Sequence, residues 1–130
     1  MKRKIIRVEP LATLLERYKA STSTVTNHGD TIYVTEAPPF DSDTGEIFKG
    51  AIERQTELVL QQMKLCAETA GSSLDYVFKV NVYVRSVDMF PAVNEVYRRF
   101  FPKDPPARIF INVPAWSGGF DIEMDCVAAV

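Results

Sequence analysis

The stretch YVFKVNVYVR, residues 76–85, decides the fold. Its side chains alternate between two sides of the chain, which is the period of a β-strand with one buried face. We therefore predict a strand from Tyr76 to Arg85. Its predicted buried face carries Tyr76, Phe78, Val80, Val82 and Val84, and its other face carries Lys79, Asn81 and Arg85.

A helix is predicted on each side of this strand. Lys49 to Ala70 repeats apolar residues at helical spacing, and Gly71 supplies a stop. Asp88 is a suitable N-cap for a second helix reaching Phe101, and Pro91 is tolerated because first-turn N–H groups have no partner within a helix. The predicted buried stripes are Ile52, Val59, Met63, Cys66 and Ala70 in the first helix, and Val93, Val96, Tyr97 and Phe100 in the second.

The first third of the chain contains β-rich segments. Lys4 to Val8 is predicted as a strand, and Leu11 to Tyr18 as a short helical turn. Ser21 to Thr26 and Thr31 to Thr35 form a predicted hairpin, because the residues Asn27 to Asp30 between them have turn chemistry.

The end of the chain is predicted to form a closing hairpin. Its strands are Ala107 to Val113 and Phe120 to Ala128, and residues 114–119 between them contain Pro and Gly-Gly. In the last strand an apolar face alternates with a face that carries Asp121, Glu123 and Asp125.

Together these elements predict one α+β domain over residues 1–130, a mixed sheet with both helices packed on one face. The other face of the sheet needs a cover. An oligomer that arranges its sheets around a common axis would supply one.

Composition excludes several classes of protein. The 130 residues carry a net charge of -2, which provides no cationic face for nucleic acid. No apolar stretch approaches the roughly 20 residues that span a bilayer, and Glu9, Pro10 and Glu16 interrupt any signal peptide, so we predict a soluble, cytoplasmic protein.

Metal and disulfide chemistry are not expected. Cys66 and Cys126 stand apart and are predicted to be reduced core residues. The single histidine, His28, is predicted as a turn residue, and no second histidine exists to complete a zinc site.

Four polar residues are candidates for chemistry: Tyr18, Asn94, Arg108 and Glu123. Arg108 could bind a carboxylate through two parallel hydrogen bonds, or pair with a neighbouring acid. Glu123 could orient an attacking water if burial raises its pKa, or lie on a solvated sheet face with the neighbouring aspartates. Tyr18 could contact a substrate or anchor the N-terminal segment, and Asn94 is equally typical of an exposed helix position.

Short phrases in this order resemble the Rid (YjgF-type) family along almost the whole chain. Each is modestly specific, whereas their order and spacing are highly specific. They are PFDSDTGE (39–46), QT (55–56), AGSSLDYV (70–77) with KV (79–80), VNEVY (93–97) with FF (100–101), PPAR (105–108) and DIEMDCVA (121–128).

The resemblance implies a fold like chorismate mutase of the Bacillus type, assembled as a homotrimer with small-molecule sites between subunits. It also implies hydrolysis of 2-imino or enamino acids to 2-keto acids and ammonia, without metal or organic cofactor. By position, Arg108 matches the arginine that holds the substrate carboxylate and Glu123 the glutamate that positions water. Tyr18 and Asn94 match further pocket residues.

The chain departs from the family pattern at the predicted site. Phe110 replaces the usual cysteine and enlarges the apolar wall, and Glu36 replaces a glycine whose backbone approaches the ligand. Residues 16–21 also lack the usual "GPYSQA" around Tyr18. These differences favour either a deaminase with altered substrate preference or a non-catalytic carboxylate-binding trimer. A ferredoxin-like amino-acid-binding module fits the element order but not the phrases.

Overall fold

The computed structural model describes residues 2–35 and 37–130, in which three α-helices and six strands are found. The helices are α1 (Leu11–Arg17), α2 (Ile52–Thr69) and α3 (Phe90–Phe100). The strands are β1 (Lys4–Ile6), β2 (Val25–His28), β3 (Thr31–Val34), β4 (Val77–Val84), β5 (Ala107–Asn112) and β6 (Ile122–Ala129).

All six strands form one mixed sheet in the order β1-β2-β3-β6-β4-β5. Strands β4 and β5 are parallel and are connected through α3, whereas the other neighbouring strands are antiparallel. The α+β fold with a mixed sheet is therefore confirmed, and the described residues contain one more helix, α1, than the two predicted to pack on the sheet.

The predicted closing hairpin is wrong. Strand β5 pairs only with β4, and β6 lies between β3 and β4. Every second side chain of β6 is fully buried, whereas β5 contains no fully buried residue, as suits an edge strand. Residues 114–119 do reverse the chain, but the reversal carries it past β4 into the centre of the sheet.

The predicted buried face of the 76–85 strand is correct only from Val80 onward. The pairing of β4 with β6 is irregular between Val77 and Lys79, where a bulge shifts the alternation by one residue. Val77 is consequently buried with Val80, while Phe78 is 51% exposed and Tyr76 precedes the strand.

The helix ends agree with the prediction at Gly71 and Pro91, but the capping residue before α3 is different. Ser86, not Asp88, is the capping residue, because its side chain accepts from the backbone N–H of Asp88 and opens a 3-10 turn before α3. Pro91 lies in the first turn of α3, as expected. Gly71 ends α2 with φ +82, a left-handed conformation that favours glycine.

The predicted first hairpin is confirmed, with shorter strands. His28 is the last residue of β2 and pairs with Thr31, so the turn consists of Gly29 and Asp30. The short helix predicted near Leu11 is also present as α1.

The core lies on one face of the sheet. A single cluster of buried residues joins the leucines of α1, the apolar faces of α2 and α3 and the inward residues of the central strands. On the opposite face, which we call the open face, Tyr33 is 53% and Ile109 50% exposed. None of the helices in the described residues has the length and apolar character needed to cross a membrane.

Candidate functional site

Arg108 on β5 lies among aromatic rings beneath α3. Its guanidinium donates to Asn94 Oδ1 at 3.0 Å. The guanidinium carbon is 4.5 Å from the centroid of the Tyr97 ring, 5.4 Å from that of Phe110 and 5.8 Å from that of Phe90. These contacts fix the cation in one orientation.

The positive charge of Arg108 has no carboxylate partner among residues 2–35 and 37–130. A cleft of about 350 Å³ opens beside it, and the side chains that line this cleft include Arg98 but no acid. We call this cleft the arginine cleft; its electrostatics suit an anionic ligand.

Tyr97 is buried under the same guanidinium. Burial raises the pKa of Tyr97 to about 12, so its hydroxyl stays protonated at neutral pH. That hydroxyl is buried and makes no hydrogen bond to the described residues. The ring therefore contributes an apolar and cation-binding surface rather than an acid or base.

Glu123 on β6 lines a second cleft, of about 450 Å³, which we call the glutamate cleft. Tyr18, the residue that follows α1, also lines it. Most of the remaining wall is apolar. The side chains of that wall include Leu15, Pro38, Phe40, Ile47, Trp116 and Phe120.

The apolar wall changes the chemistry of the carboxyl group. Burial raises the pKa of Glu123 to about 7, while a hydrogen bond from Trp116 lowers it and the charge of Asp125 raises it further. A carboxyl group with a pKa near neutrality can both accept and donate a proton at physiological pH.

The three acids predicted on one strand face have three different environments. Asp121 precedes β6, where Gln55 of α2 donates to its Oδ2 at 2.9 Å and Arg85 forms an ion pair with it. Asp125 accepts from Asn81 and Tyr83 at 2.7 Å each. Only Glu123 faces a cleft.

The side chains of Arg108 and Glu123 leave the sheet on opposite faces. Arg108 pairs with Val80, and Glu123 pairs with Tyr83. Because paired residues point to the same face of a sheet, each side chain points to the same face as its partner in β4. Val80 is fully buried in the core, whereas Tyr83 points to the open face, where it reaches Asp125. Within the described residues, no side chain lines both clefts.

The predicted site residues thus fall into two separate groups. Arg108, Asn94 and Phe110 lie together, and Tyr18 and Glu123 lie together. Glu36 lies outside the described residues. The prediction that β5 and β6 pair was wrong, and Arg108 and Glu123 therefore do not face each other within one chain.

Three aromatic residues were missed as site residues. Tyr97 was assigned to the core, where it does lie, and its contact with Arg108 depends on the register between α3 and β5. Phe90 and Trp116 lie outside the predicted strands and helix stripes, so no periodicity signals them. In the described parts of the chain, no cluster of three or more His, Cys, Asp or Glu side chains could hold a metal ion.

Fold and clefts together define an α+β protein whose single mixed sheet carries helices on one face. Similar proteins are known. A RutC family protein of Pyrococcus abyssi is 40% identical over 100 residues, which cover 77% of this chain and 79% of the relative. RidA from an Antarctic Psychrobacter has a TM-score of 0.79 and 30% identity, with 85% of this chain and 89% of that one covered.

The crystal structure of yeast Mmf1 matches with a TM-score of 0.85 and 28% identity, and 98% of each chain is covered. A model of the family described as Endoribonuclease L-PSP matches residues 15–130. The chain belongs to this family. Its predicted membership of the Rid (YjgF-type) proteins is confirmed.

Proposed function

We propose that the chain is a cofactor-free hydrolytic deaminase that converts reactive 2-imino and enamino acids to 2-keto acids and ammonia. The observation that carries the proposal is the division of the site into an anion-binding arginine cleft and a glutamate cleft with a near-neutral carboxyl group. Neither cleft alone provides both functions. Two copies of the chain would bring them together.

The arginine cleft supplies recognition of the substrate carboxylate. Arg108 is held by Asn94 and has no carboxylate partner among the described residues, so a ligand carboxylate would meet an unneutralised guanidinium. Two parallel hydrogen bonds from the guanidinium would orient the planar 2-imino acid.

The glutamate cleft supplies the proton transfers. As a water oxygen bonds to C2 of the imine, the Glu123 carboxylate would accept a proton from that water. The protonated Glu123 would pass this proton to the nitrogen as the C=N π bond opens, which gives a carbinolamine. Glu123 would then accept the proton of the carbinolamine hydroxyl group and deliver it to the nitrogen as the C–N bond breaks, so that the C=O bond forms and ammonia leaves behind a 2-keto acid. The pKa of Glu123, about 7, suits both transfers. The reaction is a hydrolysis with no redox change, so it needs no cofactor.

A homotrimer is the assembly that we propose. The open face exposes Tyr33 on the inner strand β3 and Ile109 on the edge strand β5, and a closed ring of three sheets would cover these residues. In such a ring the arginine cleft of one chain would adjoin the glutamate cleft of its neighbour. We propose a cytoplasmic protein that binds neither nucleic acid, given its net charge of -2, nor membranes.

A second candidate function is binding of small carboxylates without turnover. It is favoured by the arginine cleft, because Asn94 and three rings hold Arg108 in place without any contribution from Glu123. On this hypothesis the protein would bind 2-keto acids and similar ligands but hydrolyse no imine.

The two functions can be separated by generating imines in situ with an amino-acid oxidase and measuring keto-acid release with and without the protein. Acceleration that survives a chelator and disappears in Glu123→Gln supports the deaminase. Keto-acid binding without acceleration of any imine supports the binding protein. Acceleration that is lost with the chelator and restored by zinc would contradict the cofactor-free mechanism.

A further inference from the structure

The glutamate cleft has an aromatic wall that an imine of a small amino acid would leave largely unused. Two ring pairs line it: Trp116 stacks on Phe120 with centroids 5.0 Å apart, and Tyr18 lies against Phe40 at 5.7 Å. Ligand clefts of about 300–1,000 Å³ are the size that accommodates larger organic molecules. At about 450 Å³, this cleft has space for more than a methyl group beside Glu123.

Among the described residues that line the cleft, Glu123 is the only charged one. Thr22 and Ser117 are polar but uncharged. A charged substrate side chain would therefore lose its water without gaining a partner, except for a cation beside Glu123. An apolar side chain would instead displace water from apolar walls.

Trp116 connects the wall to the reacting group. Its side chain lines the same cleft as Glu123, where it lowers the pKa of that carboxyl group, and its ring stacks on Phe120. A substrate side chain that packs on this ring would therefore place its own C2 within reach of Glu123. Specificity and water activation would depend on the same residue.

Resting on the proposed function, we infer that the preferred substrates are 2-imino acids with a large apolar side chain, above all an aromatic one, and that Trp116 is the main specificity-determining residue. A methyl group contacts only a small part of such a wall, whereas a benzyl group contacts much of it. Hydrophobic pockets discriminate roughly 10- to 100-fold between side chains of different length. The expected preference in kcat/KM for the phenylalanine-derived imine over the alanine-derived imine is of this size.

The test compares imines generated from phenylalanine, leucine and alanine, measured as kcat/KM in competition with a common trapping reagent. The wild-type protein should prefer them in that order. Trp116→Ala should remove most of the preference, and Trp116→Phe, which keeps a ring, should retain it. Tyr18→Ala, a change at a residue that is 53% exposed, provides a second cleft variant should Trp116→Ala fail to fold. Tyr76→Ala removes a tyrosine that does not line the cleft and should leave the preference unchanged.

Binding of non-reactive keto acids keeps this inference separate from the proposed function. Phenylpyruvate should bind at least tenfold more tightly than pyruvate, and Trp116→Ala should abolish the difference. Hydrolysis of the alanine-derived imine at least as fast as the aromatic one would overturn the inference and leave the deaminase standing. Absence of any hydrolysis would show that the proposed deaminase function is wrong. Equal binding of phenylpyruvate and pyruvate would then overturn the inferred preference for aromatic side chains as well.

Discussion

The contacts of Arg108 hold its side chain while leaving its charge available. Asn94 Oδ1 accepts one hydrogen bond, and the rings of Tyr97 and Phe110 pack against the guanidinium plane. A guanidinium has five N–H donors, so several remain for a ligand. This arrangement depends on the planar group and not on charge alone.

Replacement of Arg108 by lysine should therefore weaken ligand binding by about tenfold or more, because an ammonium group cannot form two parallel hydrogen bonds or stack on the rings. Isothermal titration with a 2-keto acid measures the loss. The matched control is Arg99→Lys, since Arg99 is exposed on α3 and forms a surface ion pair with Glu95. If Arg108→Lys unfolds the protein while the affinity per folded molecule is unchanged, Arg108 has a structural role and the carboxylate assignment is wrong.

The environment of Glu123 predicts how activity depends on pH. The pKa is raised from 4.5 to about 7, so the carboxyl group is protonated and unable to accept a proton from water below that pH. We expect kcat/KM to rise with pH through about 7 and then to level off. Glu123→Gln should abolish turnover while keto-acid affinity persists. A wild-type profile that is flat between pH 5 and 9 would exclude Glu123 as the base.

The choice of candidate site residues rested on motifs, and their functional roles stay predictions. Arg108 and Asn94 fall in the phrases PPAR and VNEVY, and the structure places their side chains in contact. The contacts of Trp116 and Phe90 were not predictable, because they depend on how loops pack and not on spacing along the chain.

At the scale of secondary structure, Gln55 connects the start of α2 to the start of β6. It is fully buried, donates to Gly50 O and Asp121 Oδ2, and accepts from the backbone N–H of Asp121. Glu123 follows two residues later, so these bonds help to fix the position from which it enters the cleft. A buried amide with all these partners is costly to remove.

Gln55→Leu should lower the free energy of unfolding by about 3 kcal/mol or more, because the substitution keeps the volume but leaves buried polar partners unsatisfied. Urea denaturation at a fixed protomer concentration measures the change. Gln61→Leu is the control on the same helix: Gln61 is exposed, so its loss should cost less than about 0.5 kcal/mol. Equal stability of the two variants would mean that the buried hydrogen bonds contribute nothing.

Secondary structure was largely predictable, whereas strand order was not. Periodicity located β4, α2 and α3, because each has a one-sided apolar pattern. The placement of β6 between β3 and β4 is a long-range choice that a local turn such as residues 114–119 cannot specify. The bulge at Phe78 likewise depends on the partner strand.

At the scale of the whole molecule, the open face combines apolar side chains with a polar cluster that is already satisfied. Asp125 accepts hydrogen bonds from Asn81 and Tyr83. The hydrogen bond to Asp125, together with burial, raises the pKa of Tyr83 to about 12. Such a cluster can be covered by another chain without leaving unpaired polar groups. The exposed Ile109 and Tyr33 would gain most from that cover.

Ile109→Arg should therefore dissociate the proposed trimer at micromolar concentration, because an unpaired charge would be buried in each interface. Light scattering should show the mass falling from three times the chain mass to the 14.6 kDa of one chain. Val87→Arg, at a residue that is 69% exposed and outside the sheet, is the control. A wild-type protein that is already monomeric would exclude a site formed by the arginine cleft of one chain and the glutamate cleft of its neighbour.

Mixed assemblies test whether the two clefts act together across chains. Arg108→Ala and Glu123→Gln should each be inactive alone. If one chain supplies Arg108 and its neighbour Glu123, a trimer containing both variants has some sites with both native residues. Random assembly of equal amounts, by joint unfolding and refolding, should then restore about one quarter of the wild-type activity, because a site is intact only when both of its contributing chains are of the right kind. Each variant refolded alone should stay inactive. If the mixture also stays inactive while mass spectrometry confirms mixed trimers, the proposal that Arg108 and Glu123 act together across chains is wrong. Joint action within one chain is disfavoured in any case, because their partners Val80 and Tyr83 in β4 point to opposite faces of the sheet.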